Sequence, residues 1–248
     1  MLSAVFFWML ILSRVSGMLM GCPLFSHKNV PSTFKAGMAL ALTMLLAPMV
    51  TVPNSAPETT SAAFLWVARE LFFGYALGWL GSLSLQVASA AGALVDNQAG
   101  LANATLLDPI RGESQPLLAN VYHTLAALVF IHSRAPYAML TVCALSFEKF
   151  PLGHGYALGG VGEYGIKLGS WFMLMMVGLT LPLILTFWGL DIVLGFLTRL
   201  VPQLQLLSAA PPLKLMLVWW LTLLYFQQLL TQLGNMPERA WALVGIVQ

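Results

Sequence analysis

From Leu71 to Val95 the chain runs for 25 residues without a charged side chain. A hydrocarbon core about 30 Å thick is crossed by ~20 helical residues, so this stretch alone suffices to span a bilayer. Further apolar runs lie at Leu2 to about Phe25, Ala36 to about Val52, Pro116 to Ser133, Ser170 to Leu197 and Leu215 to about Leu233. A shorter one, Ala135 to Phe147, cannot cross by itself and is expected to form a hairpin or one bent element with its predecessor. Long apolar runs, rather than ten-residue alternations, select helices over a barrel, because lipid admits only structures that satisfy their own backbone. The expected fold class is therefore all-α: a polytopic helical membrane protein of five long helices and two short ones.

Composition agrees. Of 248 residues, 59% are hydrophobic and 8% charged, against a charged share of ~25% in soluble domains. That leaves too little polar surface to cover a soluble fold. At most about eight spans fit the length, and no segment outside them is long enough for a soluble domain. Residues 1–248 read as a single integral-membrane domain. A net charge of +2 supplies no basic face for nucleic acid. Cys22 and Cys143 both sit in apolar runs and read as small core or lipid-facing side chains. The first positive side chain is Arg14, so the N-terminus lacks the basic head of a signal peptide and its helix is expected to be retained. Lys28 and Lys35 bias the first loop towards the cytoplasm, with the N-terminus outside.

Between the runs, Pro53, Pro57 and Glu58 mark one loop, and Arg199, Pro202, Pro211, Pro212 and Lys214 another. Gly153 to Gly169 holds seven glycines in seventeen positions, too many to favour an ordered helix. Pro182 interrupts the sixth run, and the last is expected to end near Gly234-Asn235. Within the third run, Gly74, Gly78 and Ser82 are spaced by four, and Ala88 and Gly92 form a second pair. Small residues at that spacing allow close helix packing in lipid, either within the chain or against a partner subunit. Gly17 and Gly21 repeat the device in the first run.

No catalytic, cofactor or metal constellation emerges. His123 and His132 lie nine positions apart, off the helical spacing of paired ligands. Asp96 and Asp108 fall in a polar loop rather than on facing helices, unlike an aspartic dyad. The Gly-Gly-Val-Gly-Glu-Tyr-Gly stretch at 159–165 lacks the Lys-Ser/Thr of a phosphate loop. Asp191, late in an apolar run, is a functional candidate by the cost of burying a carboxylate; a small secondary transporter coupled through Asp191 and Arg14 is the alternative function. Internal duplication with paired broken helices, usual in such transporters, is not evident. The segment Asp96 to Gln115 is more informative. It follows the 25-residue uncharged run directly and is polar, so it either lies at the surface or projects into a water-filled conduit, where Leu106-Leu107 could block water.

Several motifs in order carry a resemblance: Arg69-Glu70 before a glycine-rich helix, then GALVDNQAGLANATLLDP, Ser146-Phe147, Pro151-Leu152-Gly153, Val201-Pro202-Gln203 and Pro212-Leu213-Lys214. Over nearly the whole chain this resembles the FliR/SctT family of type III export apparatus proteins. The Asp-Asn-Gln-x-Gly run followed by Asp-Pro looks closer to the injectisome branch than to the flagellar one. The resemblance implies a non-enzymatic, cofactor-free, multi-pass subunit of the bacterial inner membrane. It would join FliP/SctR-type and FliQ/SctS-type subunits in an export gate for unfolded secretion substrates, with an FlhB/SctU-type switch subunit around it. Carried over by position, a pore plug would comprise Gly100, Leu101, Ala102, Asn103, Ala104, Thr105, Leu106, Leu107, Asp108, Pro109, Ile110, Arg111, Gly112 and Glu113.

Overall fold

The computed structural model describes residues 2–23, 25, 30–51, 59–100, 116–153, 161–200, 206–243 and 245. Among them are eight α-helices: α1 (Leu2–Gly21), α2 (Ser32–Leu46), α3 (Thr60–Ala99), α4 (Leu117–His132), α5 (Ala135–Lys149), α6 (Val161–Leu200), α7 (Leu206–Leu224) and α8 (Phe226–Leu243), with a 3-10 turn at Ala47–Met49. The described residues contain no strand. Three helical stretches are long and apolar enough to cross a membrane, Ser32–Met49, Thr60–Ala99 and Glu163–Leu200, and the bent pairs α4–α5 and α7–α8 raise the number to as many as five. The protein is a polytopic helical membrane protein. At 40 residues each, α3 and α6 are about 60 Å long, twice the thickness of a hydrocarbon core.

Several boundaries differ from expectation, each for a physical reason. Helix α3 begins eleven residues before Leu71, at Thr60, where the Thr59 hydroxyl accepts the Ala62 N–H at 3.3 Å as an N-cap. Arg69 and Glu70 do not stop it, because Glu70 is buried in an ion pair. At its other end the helix continues through Asp96, Asn97 and Gln98 to Ala99, so Asp96 is helical rather than in a loop. Gly100, at φ 77°, takes the left-handed conformation that ends it and donates to the Asn97 carbonyl at 3.2 Å. The glycine-rich stretch is helical from Val161 onwards, supported by an exposed Glu163–Lys167 pair at 2.7 Å, one turn apart. Helix α6 also passes through Pro182. The ring removes the donor for the Gly178 carbonyl, beside which a cavity of about 30 Å³ is lined by Gln228 and Gln232.

The expected loop from Arg199 to Lys214 is largely helical: Arg199 belongs to α6, and Pro211, Pro212 and Lys214 to α7. The last apolar run breaks at Tyr225, and α8 then carries on through Gly234, Asn235 and Pro237 to Leu243. Leu229, Leu233, Met236 and Ala240 are among its buried positions, on the helical i, i+4, i+7, i+11 stripe of an amphipathic segment. The break between α4 and α5 falls at Ser133-Arg134, with the Ser133 hydroxyl accepting the Ala135 N–H at 3.2 Å.

The chain packs as two compact units. The first comprises residues 1–84, 130–169 and 234–248. Its core is the contact of α1 with the N-terminal half of α3. A Cβ added at Gly17 would overlap the Leu71 carbonyl, at Gly74 the Arg14 carbonyl, and at Gly78 the Met18 carbonyl. The helix backbones therefore touch directly, which only glycine permits. Trp241 of α8 is fully buried against Gly81 and donates its indole N–H to the Leu77 carbonyl at 3.2 Å. Cys22 and Cys143 are buried.

The second unit comprises residues 85–129 and 170–233. Here the end of α3 meets the start of α4, with Gly92 against Leu118 and Ala119 so closely that a methyl would overlap their backbone. Tyr122 and Thr222 share a hydroxyl hydrogen bond of 3.3 Å. Much of α6 and α7 is apolar and exposed, including Leu174, Leu181, Leu185, Trp188, Trp219 and Trp220. Such a surface suits lipid or other apolar helices rather than water.

Candidate functional site

Two groups of polar side chains are gathered where the sequence is otherwise apolar. The first lies within the first unit. Arg14, in the middle of α1, is fully buried and donates Nε and Nη2 to the Glu70 carboxylate of α3 at 2.7 and 2.5 Å. Nη1 reaches the Ser146 carbonyl at 3.0 Å, and both Nη groups reach the Phe150 carbonyl at 3.0 Å. The guanidinium also lies 4.4 Å from the Phe147 ring centroid and 5.0 Å from that of Phe73, within cation–π range. Every face of the cation is thus occupied, and α1, α3 and the end of α5 are fastened together. A guanidinium so enclosed has a structural role; it offers no site where a transported ion could bind, which removes half of the transporter reading.

The second group surrounds the polar segment that follows α3. In the last turn of α3, the buried Asp96 Oδ2 accepts the N–H groups of Leu118 and Ala119 at 2.8 and 3.2 Å. These are orphan donors of the first turn of α4, and a carboxylate there is favoured by hydrogen bonding and by the helix dipole. Asp96 Oδ1 has no hydrogen-bond partner among the described residues. Two residues on, the Gln98 carbonyl accepts the Lys214 ammonium of α7 at 2.9 Å. Lys214 also pairs with Asp191 of α6, at 2.8 Å to Oδ1 and 3.0 Å to Oδ2, and its ammonium lies 5.8 Å from the Phe187 ring centroid. Asp191, singled out by sequence as an intramembrane anomaly, is half of an ion pair, and its side chain is 46% exposed against 11% for Lys214.

These contacts converge on one place. The segment 100–115 leaves from α3 at Gly100 and returns at Pro116, so its two ends are joined by the single carboxylate of Asp96 and its starting turn is held by Lys214. Of the expected plug residues only Gly100 is described. Leu101, Ala102, Asn103, Ala104, Thr105, Leu106, Leu107, Asp108, Pro109, Ile110, Arg111, Gly112 and Glu113 lie outside the described residues. Of the small residues singled out, Gly74 and Gly78 face α1, Gly92 faces α4, Ala88 is buried, and the Ser82 hydroxyl donates to the Trp79 carbonyl at 2.7 Å. Sequence reasoning missed the roles of Glu70, Lys214 and Asp96. For Lys214 a signal existed: a lone cation two residues past a double proline, in an otherwise apolar run, needs an anion nearby.

Comparison with known proteins assigns the family. The model of bacterial export proteins, family 1, matches residues 5–240. The flagellar biosynthetic protein FliR of Escherichia coli (strain K12) is 30% identical over 213 residues, covering 85% of this chain and 80% of that protein. FliR of Bacillus subtilis (strain 168) is 26% identical over 211 residues, covering 84% and 81%. The surface presentation of antigens protein SpaR of Shigella flexneri is 25% identical over 151 residues, covering 60% and 57%. The preference for the injectisome branch, drawn from the Asp-Asn-Gln-x-Gly and Asp-Pro motifs, finds weak support in that shorter match, against longer matches to flagellar proteins. With the family model spanning almost all of its helices, this chain belongs to family 1 of the bacterial export proteins.

Proposed function

We propose that the chain is a non-enzymatic subunit of a type III protein export gate in the bacterial inner membrane. It would line, with FliP/SctR-type and FliQ/SctS-type subunits, the pore for unfolded secreted proteins, next to an FlhB/SctU-type switch subunit. Residues 100–113 act as the plug. The observation that carries this reading is the tethered neck of the polar segment: both ends are held at Asp96, within helices whose outer faces are apolar. A polar chain in that setting requires protein or water around it rather than lipid. Exposed apolar residues along α6 and α7 provide area for sister subunits as well as lipid. Helices twice as long as the hydrocarbon is thick favour an assembly that rises beyond the bilayer plane.

The test is deletion of Leu101 to Asp108 in cells that express the whole apparatus. Ion permeability of the membrane should rise while co-purification with the partner subunits is retained. Unchanged permeability in an assembled complex would refute the plug. Isolation of the wild-type chain only alone or as a homo-oligomer would favour the transporter alternative, with Asp191 as its remaining coupling group.

A further inference from the structure

The two fastenings at the neck of the segment differ in kind. Asp96 is 1% exposed, its contacts run to backbone donors on a helix end, and nothing polar among the described residues competes for them. Lys214 holds the neck by a single ammonium shared between two acceptors, the Gln98 carbonyl of α3 and the Asp191 carboxylate of α6. One acceptor is neutral and belongs to the segment's root; the other is charged, half exposed, and belongs to a different helix. An ammonium has three donors and no rigid fork, so it can give up the carbonyl while keeping the carboxylate. The turn it holds is the last one of α3, Asn97 to Gly100, a helix end where the Asn97 carbonyl takes the Gly100 N–H and the Gln98 carbonyl takes the Lys214 ammonium.

We propose that Lys214 is a positioning residue that acts as the releasable catch of the segment's root, with Asp191 as the resting place of the ammonium when the catch opens and Asp96 as the fixed anchor. Sliding of Lys214 from the Gln98 carbonyl onto Asp191 alone frees the last turn of α3 to unwind. Asp96 meanwhile keeps its hold on the first turn of α4. This rests on the plug reading for its effect on permeability, but the catch itself is a geometric statement that can be tested without it.

The reporter is a thiol introduced by Ala99→Cys, a buried position beside Gln98, in the assembled complex; both native cysteines are buried. Its rate of reaction with a water-soluble maleimide reads the opening of the turn. Lys214→Met should raise that rate roughly 10–100-fold, the population shift expected from losing one charge-assisted hydrogen bond. Lys214→Arg should restore it to within about threefold of the parent, since charge and donors remain. Asp191→Asn should leave it at or below the parent rate, because the ammonium is then left to the Gln98 carbonyl. An ion pair with only a structural role would instead be broken equally by Lys214→Met and Asp191→Asn, and equal acceleration in the two would overturn the proposal. So would an unchanged rate in Lys214→Met, even where deletion of Leu101 to Asp108 makes the membrane leak. Accelerated labelling in Lys214→Met alone, with no leak in the deletion, supports the catch and refutes the plug.

Discussion

Replacing Glu70 with leucine tests whether the Arg14 cluster is the keystone of the first unit. Arg14 and Glu70 both have fully buried side chains, so the substitution leaves a cation deep in the protein without its carboxylate, beside the Ser146 and Phe150 carbonyls and two aromatic rings. Breaking a buried pair in this way costs about 3–5 kcal/mol, which for a chain of this size corresponds to a fall in Tm of roughly 6–20 °C. Arg14→Met should cost less, because the abandoned carboxylate still has Arg69 at 3.8 Å. In the double variant Arg14→Met/Glu70→Leu the fully buried cation is gone with its carboxylate, and Arg69 loses its 3.8 Å contact just as it does in Glu70→Leu. The Ser146 carbonyl keeps the Phe150 N–H at 3.0 Å, so what is lost is chiefly the donation to the Phe150 carbonyl, about 1–3 kcal/mol. The double variant should therefore be more stable than Glu70→Leu alone, with a coupling of at least about 2 kcal/mol. Thermal unfolding of the detergent-solubilised protein, followed by tryptophan fluorescence, measures all four corners of the cycle. Additive losses, or a Glu70→Leu variant within about 1 kcal/mol of wild type, would refute the reasoning.

Three further substitutions probe the packing of the same unit. Gly74→Val places a branched side chain where a single methyl already overlaps the Arg14 carbonyl, and should lower stability by about 1–3 kcal/mol or more; Gly37→Ala, with nothing within 4 Å of the added methyl, should be neutral or stabilising by up to about 1 kcal/mol. Trp241→Phe keeps a ring against Gly81 and removes the donor to the Leu77 carbonyl. A loss of about 0.5–1.5 kcal/mol in the same unfolding assay is expected.

Apolar run lengths were enough to find most of the helices, because in lipid a helix is nearly compulsory wherever hydropathy is high. What they could not find were the places where a charge continues a helix rather than ending it. Arg69-Glu70 looked like the start of α3, and Lys214 like part of a loop, because each reads as polar until its partner is known. Those partners stand 56 residues away for Arg14–Glu70 and 23 for Asp191–Lys214, beyond any local periodicity. Asp96 illustrates the same blindness at the candidate site: from sequence it opens a polar loop, whereas its real position in the last turn of α3 is fixed by donors on the far side of that loop. The close glycine contacts were legible as a spacing, but spacing alone cannot name the helix opposite. Helix α8 was cut short because its pattern is amphipathic, with glutamines and a Glu-Arg pair on the outer side, and a hydropathy threshold registers only the apolar half.

The span between Arg14 and its counter-ion also sets a timetable for biosynthesis. Helix α1 is made first and carries a guanidinium whose isolated insertion in lipid is disfavoured by about 2.5–3.5 kcal/mol. Glu70 follows 56 residues later, roughly 3–11 s at bacterial translation speeds, and the Ser146 and Phe150 carbonyls later still. During that interval the nascent α1 is a poor resident of the bilayer, best sheltered by the insertion machinery until α3 emerges and docks glycine to glycine. The ribosome's order of delivery thus makes α3 the intramolecular chaperone of α1.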